Sequence, residues 1–230
     1  KDINWTILSE ENVKVEANFS EIKNHWVWVL DPLDGTKDFI QGTENYAMHL
    51  ALTYKKKPIL GVVLIPEKNE LWISNGEKLW CEKKDGSLNK NNISKKNNNI
   101  LNEMILVTSK NHNNQVLQKI IEKINFKKVV AMGSVGCKIA SILKGESDIY
   151  ISLSLPGHSS PKDWDFASPE AILKTAGGAI TNLDIKDLVY MKSNFEQRGI
   201  IIATSNKQIH GEICSQIHEI IFKNDLYAFN

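Results

Sequence analysis

Carboxylates stand in short clusters at three places in the chain. Asp31 and Asp34 lie in DPLDGTKDF (31–39), directly after the apolar run WVWVL (26–30); Asp163 and Asp165 lie in PKDWDF (161–166); Glu10 and Glu11 follow TIL (6–8). Each cluster has an ordinary reading. Pro32 and Asp34-Gly35 are turn formers, Glu10-Glu11 suits a charged surface, and Asp165 ahead of FASPEAILKTAGG suits a helix N-cap, where its oxygen accepts an orphan backbone N–H. The alternative is one shared site. Two carboxylates about 4 Å apart repel by ~4 kcal/mol at an effective dielectric of about 20, so three or four together must bind cations or take up protons. Mg²⁺ meets that need with oxygen ligands and leaves positions for phosphate oxygens. Two such ions roughly 4 Å apart stabilise the entering and leaving oxygens of a phosphoryl transfer. The bend at Pro32 exposes the Leu33 carbonyl. The Thr36 hydroxyl, hydrogen-bonded to a carboxylate such as Glu10, would orient a water, with a plain ST-turn as its alternative. GTKDF is read as the start of a helix whose free N–H groups face phosphate.

The elements that must position these groups follow from pattern. WVWVL reads as a strand, and YAMHLALTY (46–54), PILGVVLIP (58–66) and ELWISNG (70–76) as an antiparallel meander joined by short charged connectors. Residues 82–99 are rich in Lys and Asn and predict a loop with one short strand. The boundary placed there gives an N-terminal lobe over 1–103 and a C-terminal α/β lobe over 104–230. Beyond it, strands at 104–109, 127–133, 147–154, 179–184 and 198–205 alternate with helices at 114–124, 135–145, about 166–176 and 207–223, which argues a layered α/β sandwich.

With 28 Lys+Arg against 27 Asp+Glu, the chain has no global field for a nucleic-acid polymer or a membrane surface, so an anionic ligand must be held locally. Its lysines lie in loops without interleaved aromatics. Three cysteines without CxxC spacing, the lack of a membrane-length apolar run, and an N-terminus without a signal pattern point to the cytoplasm. Oligomeric state leaves no mark in the sequence.

In order, SEE (9–11), DPLDGTKDF, GSVGCK (133–138) and WDFASPEAILKTAGG (164–178) resemble the magnesium-dependent, lithium-sensitive phosphatase superfamily of inositol monophosphatase and fructose-1,6-bisphosphatase, over nearly the whole chain. DGTK followed by an acidic residue and Phe looks like the 3′(2′),5′-bisphosphate nucleotidase, or CysQ-like, branch. Inositol phosphatases more often show DGT followed by Asn-Phe. The resemblance implies an αβαβα sandwich and two or three Mg²⁺ ions. Glu10, Asp31, Asp34 and Asp165 match its metal-binding carboxylates, and the Leu33 carbonyl its backbone ligand. Thr36 matches the threonine that, with Glu10 and Asp34, activates water, and Gly35-Thr36 matches the phosphate-contacting turn. Ser109 and His112 in VTSKNH, Ser134 and Lys138 in GSVGCK, and Asp165 match substrate contacts. Family members begin with a helix pair carrying a Thr-x-Ala-Asp motif, and nothing precedes Lys1 to supply it, so the chain looks truncated relative to the family. The region SLSLPGHSS (152–160) shows no counterpart of the glutamate that holds a sugar hydroxyl in inositol phosphatases. The expected substrate is therefore adenosine 3′,5′-bisphosphate, cleaved to AMP and phosphate. The rivals are an inositol-phosphate or sugar-phosphate phosphatase, and a truncated remnant that binds metal or nucleotide without turnover.

Overall fold

The computed structural model describes residues 5–15, 25–89, 96–110, 115–155 and 157–226. Its first sheet runs in chain order: β1 (Thr6–Ser9), β2 (Trp26–Asp34), β3 (Ala47–Tyr54), β4 (Lys57–Ile65), β5 (Glu70–Ser74), β6 (Leu79–Lys83) and β7 (Leu88–Asn89). β1 pairs parallel to β2, and every later neighbour is antiparallel. The meander thus forms as its apolar and turn patterns predict. β6 was not anticipated, because LWCEK is short and already charged at its end.

The second sheet has the order β11-β12-β10-β8-β9, from β8 (Ile105–Ser109), β9 (Lys128–Met132), β10 (Ile149–Ser154), β11 (Ala179–Asn182) and β12 (Gly199–Thr204). β8 pairs parallel with both β9 and β10, and β12 runs antiparallel to β10 and β11. Helices α1 (Glu10–Val15) and α2 (Thr36–Ile40) are short. They are followed by α3 (Gln115–Ile124), α4 (Val135–Leu143), α5 (Asp163–Thr175) and α6 (Lys207–Lys223).

α4 and α5 lie between the sheets. α5 packs on β2 through β5 and reaches β11, while α4 touches β3 and β4 on one side and β8, β9 and β10 on the other. α3 and α6 cover the far face of the second sheet, burying Ile120, Ile213 and Ile217 against Leu106, Ile149, Ile151 and Ile202. Alternation along each strand decides which side chain meets which layer. In β10, Ile149 and Ile151 belong with α3 and α6, whereas Tyr150 belongs with the central helices. The described residues stack as sheet, helix pair, sheet, helix pair, which is the expected sandwich without its first helical layer.

Two local expectations change. DPLD is not a free turn but the end of β2. The helix expected from about 166 begins at Asp163, so Asp165 is its third residue, not its N-cap.

Candidate functional site

A strand of period two would send Asp31 and Asp34 to opposite faces. They share a face because β2 bulges between them: Asp31 pairs with His49 and Asp34 with Ala47, three steps on one strand against two on its neighbour. Pro32 fits the interrupted ladder, since it has no N–H to donate. Both aspartates end up buried, at 1% and 8% exposure. Asp31 Oδ1 accepts the Leu33 N–H at 3.0 Å, and the Thr36 hydroxyl donates to the Leu33 carbonyl at 3.1 Å.

Gly35 then turns the chain at φ +87°. A Cβ there would stand 2.8 Å from the Asn45 carbonyl. Across this turn lies the β9–α4 turn, packed so closely that a Cβ on Gly133 would meet Asp38 Oδ2 at 2.0 Å. The two turns therefore bring Asp34 to the start of α4, where its Oδ2 accepts the Val135 N–H at 2.6 Å. His49, fully buried in β3, places Nε2 3.5 Å from the same oxygen. Burial lowers the pKa of His49, and the Asp34 charge opposes that shift.

Asp165 arrives from the opposite half of the chain. Its Oδ2 accepts the Lys162 N–H at 2.5 Å, closing the first turn of α5. One carboxylate oxygen from each of Asp31, Asp34 and Asp165 lies within 4.8 Å of the other two. Burial, then Asp34, push Asp31 up to about 9 and Asp165 up to about 8. Glu10 joins from β1: Ser9 pairs with Leu30, so the next residue leaves the sheet level with Asp31. Glu10 lines the cavity and its charge is felt at both Asp31 and Asp165. An all-oxygen donor set whose members repel one another suits a hard divalent cation such as Mg²⁺. A cation would relieve the repulsion that, with burial, keeps protons on Asp31 and Asp165.

The cavity has a volume of about 560 Å³ and two chemically distinct walls. Glu10, Asp34 and Asp165 form the acidic one. Lys138, Ser109 and Tyr150 form the other, at the carboxyl end of β8 and the inner face of the second sheet. Lys138 is 1% exposed; its ammonium donates to Gly133 O at 2.8 Å and to Ser109 Oγ at 3.1 Å, and makes no ion pair among the described residues. Burial lowers its pKa, against the pull of Asp34.

Not every expected residue reaches this cavity wall. Ser134 is buried as the N-cap of α4, accepting the Cys137 N–H, and Gly133 and Val135 line the wall in its place. Thr36 is exposed, with its hydroxyl on Leu33 O. His112 lies outside the described residues. Sequence reading passed over His49, Lys37, Tyr150 and Ser160. His49 had a visible signal, a histidine in the inward row Ala47, His49, Ala51, Thr53 of an otherwise apolar strand. Tyr150 and Ser160 had none.

Known proteins resemble this chain throughout. The inositol monophosphatase family model matches residues 4–221. The 3′(2′),5′-bisphosphate nucleotidase CysQ of Buchnera aphidicola is 33% identical over 190 residues, covering 82% of this chain and 66% of the relative. CysQ of Escherichia coli K12 is 28% identical over 80% of this chain and 69% of its own length. Across the curated relatives that it matches, the chain spans about 60% to 69% of their length. The crystal structure of inositol monophosphate-bound SaIMPase-II superposes with a TM-score of 0.75 at 25% identity, covering 97% of this chain and 80% of that one. With the bulged DPLD strand, the WD helix start and the acidic cluster they assemble, this chain belongs to the inositol monophosphatase family.

Proposed function

We propose that the chain is a Mg²⁺-dependent phosphomonoesterase that removes the 3′-phosphate of adenosine 3′,5′-bisphosphate, giving AMP and phosphate. The observation that carries this reading is the pairing of walls in one cavity. An acidic wall suits cations and the phosphate they hold. A buried lysine with no carboxylate partner among the described residues, across the same cavity, suits a second anion on the same substrate. The bisphosphate nucleotidases among the relatives support the same choice.

In this reading Glu10, Asp31, Asp34, Asp165 and the Leu33 carbonyl hold Mg²⁺. The bound ions supply charge neutralisation at the phosphate oxygens and a lowered pKa for water. The chain's own groups orient the reaction. Thr36 Oγ1, its proton committed to Leu33 O, offers its lone pairs to an incoming water, and Glu10 stands within reach of the cavity to take that water's proton. His49 fixes the direction of Asp34 through Oδ2 while Val135 N holds the same atom. The Gly35-Thr36 turn contacts the phosphate that is cleaved, and Lys138 and Ser109 contact the nucleotide.

A second reading rests on the inositol monophosphate-bound neighbour, which shares the fold at 25% identity. A substrate panel decides. With Mg²⁺, purified protein is expected to release phosphate from adenosine 3′,5′-bisphosphate faster than from inositol 1-phosphate. The reverse order would give the site to inositol phosphates. No release above that of Asp34→Asn on either substrate, with Mg²⁺ and AMP still bound, would make the chain a binding remnant.

A further inference from the structure

Two aspartates stand in PKDWDF, and of the two only Asp165 lines the cavity. Residues two apart on a helix do not share a face. Asp163 is fully buried, and both of its oxygens are engaged elsewhere: Oδ2 accepts the Met191 N–H at 2.5 Å and Oδ1 accepts from Gln197 Nε2 at 2.7 Å. The same Gln197 nitrogen donates to Val189 O at 3.0 Å. One carboxylate thus ties together the two ends of segment 191–197, at the first residue of the helix that carries Asp165.

Main-chain bonds fasten this strap to the residues just ahead of α5. The Asp163 N–H donates to Phe195 O and the Gln197 N–H to Pro161 O, both at 2.9 Å, around an antiparallel bridge between Lys162 and Glu196. The Lys162 ammonium reaches Glu196 Oε1 at 3.1 Å and Asn194 O at 3.2 Å. Met191 and Phe195, both buried, hold left-handed φ of 56° and 55°. Residues with a Cβ keep that conformation only where their surroundings impose it. Here Asp163 takes the Met191 N–H, and the Trp164 ring stands 6.3 Å from that of Phe195. The start of α5 has little support of its own, since its N-cap is Lys162, whose ammonium cannot accept from the free N–H groups of the first turn. The strap grips that same Lys162, whose N–H is the one that Asp165 Oδ2 accepts.

We infer that Asp163 is a positioning residue for the cation site: by fastening the 191–197 strap to the first turn of α5, it holds Lys162, and through it the Asp165 carboxylate, where a divalent ion is bound. This rests on the reading of Glu10, Asp31, Asp34 and Asp165 as Mg²⁺ ligands, and not on which phosphate ester is cleaved. An anchor that served the fold alone would cost stability and leave Mg²⁺ affinity unchanged. A positioning residue moves both.

Asp163→Asn keeps the size of the side chain but sets an amide donor against one of the two N–H groups that Asp163 now accepts. Gln197→Ala removes one of those donors instead. Mg²⁺ titrated calorimetrically into each folded protein, well below its Tm, is expected to show a Kd raised about tenfold in Asp163→Asn, and by less in Gln197→Ala. Thr181→Val, which takes a hydroxyl from buried His210, supplies a loss of stability elsewhere and should leave the Mg²⁺ Kd where it was. Asp163→Asn and Gln197→Ala proteins that melt earlier yet bind Mg²⁺ with the original Kd would overturn the inference, as would an equal weakening in Thr181→Val. Should Asp163→Asn not fold, Gln197→Ala decides by the same criterion. If the unaltered protein bound no Mg²⁺, the metal-site reading would fall and the positioning role with it, a result distinct from normal binding by every variant.

Discussion

Two buried polar clusters in this molecule meet the cost of burial in opposite ways. Around His210, the imidazole is 2% exposed; Nδ1 lies 2.9 Å from Thr204 Oγ1, Nε2 lies 2.9 Å from Thr181 Oγ1, and Cys214 Sγ stands 3.5 Å from Nε2. Burial, then Lys174, bring this histidine down to about 4, so at neutral pH it carries no charge and both ring nitrogens have hydroxyl partners. Around Asp31, Asp34 and Asp165 the hydrogen bonds are also made, each carboxylate accepting a backbone N–H. The charge is not balanced. A cluster satisfied within the chain needs nothing from outside; a cluster whose charges repel is completed only by a ligand. Glu170 sharpens the contrast, a buried carboxylate supplied with its own lysine, Lys174, at 2.6 Å and with the Tyr190 hydroxyl.

The largest effect should come from breaking the acidic cluster where it meets the cavity. Asp34→Asn keeps an oxygen for the Val135 N–H but removes the charge, and phosphate release should fall by about 100-fold or more with circular dichroism unchanged. Asp31→Asn tests the cost of burying that acid. Without Mg²⁺ it should raise Tm, by about 5 °C or more, because a neutral amide avoids the few kcal/mol that protonating Asp31 at neutral pH costs the folded chain. It should also reduce the further rise that Mg²⁺ gives the unaltered protein, as differential scanning fluorimetry would show. The balanced cluster should respond with the other sign. Thr181→Val leaves His210 Nε2 without its hydroxyl and should cost about 1–2 kcal/mol, a fall in Tm of roughly 4 °C, with no change in Mg²⁺ response. Stabilisation at one site and destabilisation at the other, from the same kind of polar deletion, is the result that distinguishes them. A drop in Tm for metal-free Asp31→Asn would erase the distinction.

The two clusters also differ in how far they could be read from sequence. DPLDGT and WD pointed to their chemistry through their resemblance to the phosphatase family; taken alone, the first reads as a turn and the second as a helix start. The strand that carries the first was legible from its apolar run, and the helix that carries the second from its Gly177-Gly178 end and not from a period, since α5 is buried on nearly every side. The bulge at Pro32 was not, because it is defined by register against β3, two strands meeting 18 residues apart at Asp31 and His49. The start of α5 was displaced for a related reason: Asp165 caps its own helix from inside by reaching back to Lys162, so the helix begins before the residue that looked like its cap. His210, Thr181 and Thr204 were not legible at all. Their partnership joins β11, β12 and α6, and each looks ordinary where it stands. Tyr150 escaped in the same way, since its burial between Lys138 and Phe166 is a property of the surroundings and not of the run SDIYISLS.

The smallest effect separates the clusters by pH. His210 has its folded pKa lowered, from 6.5 to about 4. Below pH 6.5 the unfolded chain takes up a proton that the folded chain refuses until about pH 4, so the unfolded state binds more protons across that window. The stability from this neutral histidine is complete above about pH 6.5 and declines as pH falls toward 4. Between pH 6.5 and 5.5 the loss is about 1 kcal/mol, or roughly 2–4 °C in Tm. Measured at saturating Mg²⁺, so that the acidic cluster is already neutralised, the decline should appear in the unaltered protein and flatten in His210→Gln. Equal slopes in the two proteins would mean that the buried imidazole is not the group that titrates. The His210 cluster would then no longer stand as the balanced half of the comparison.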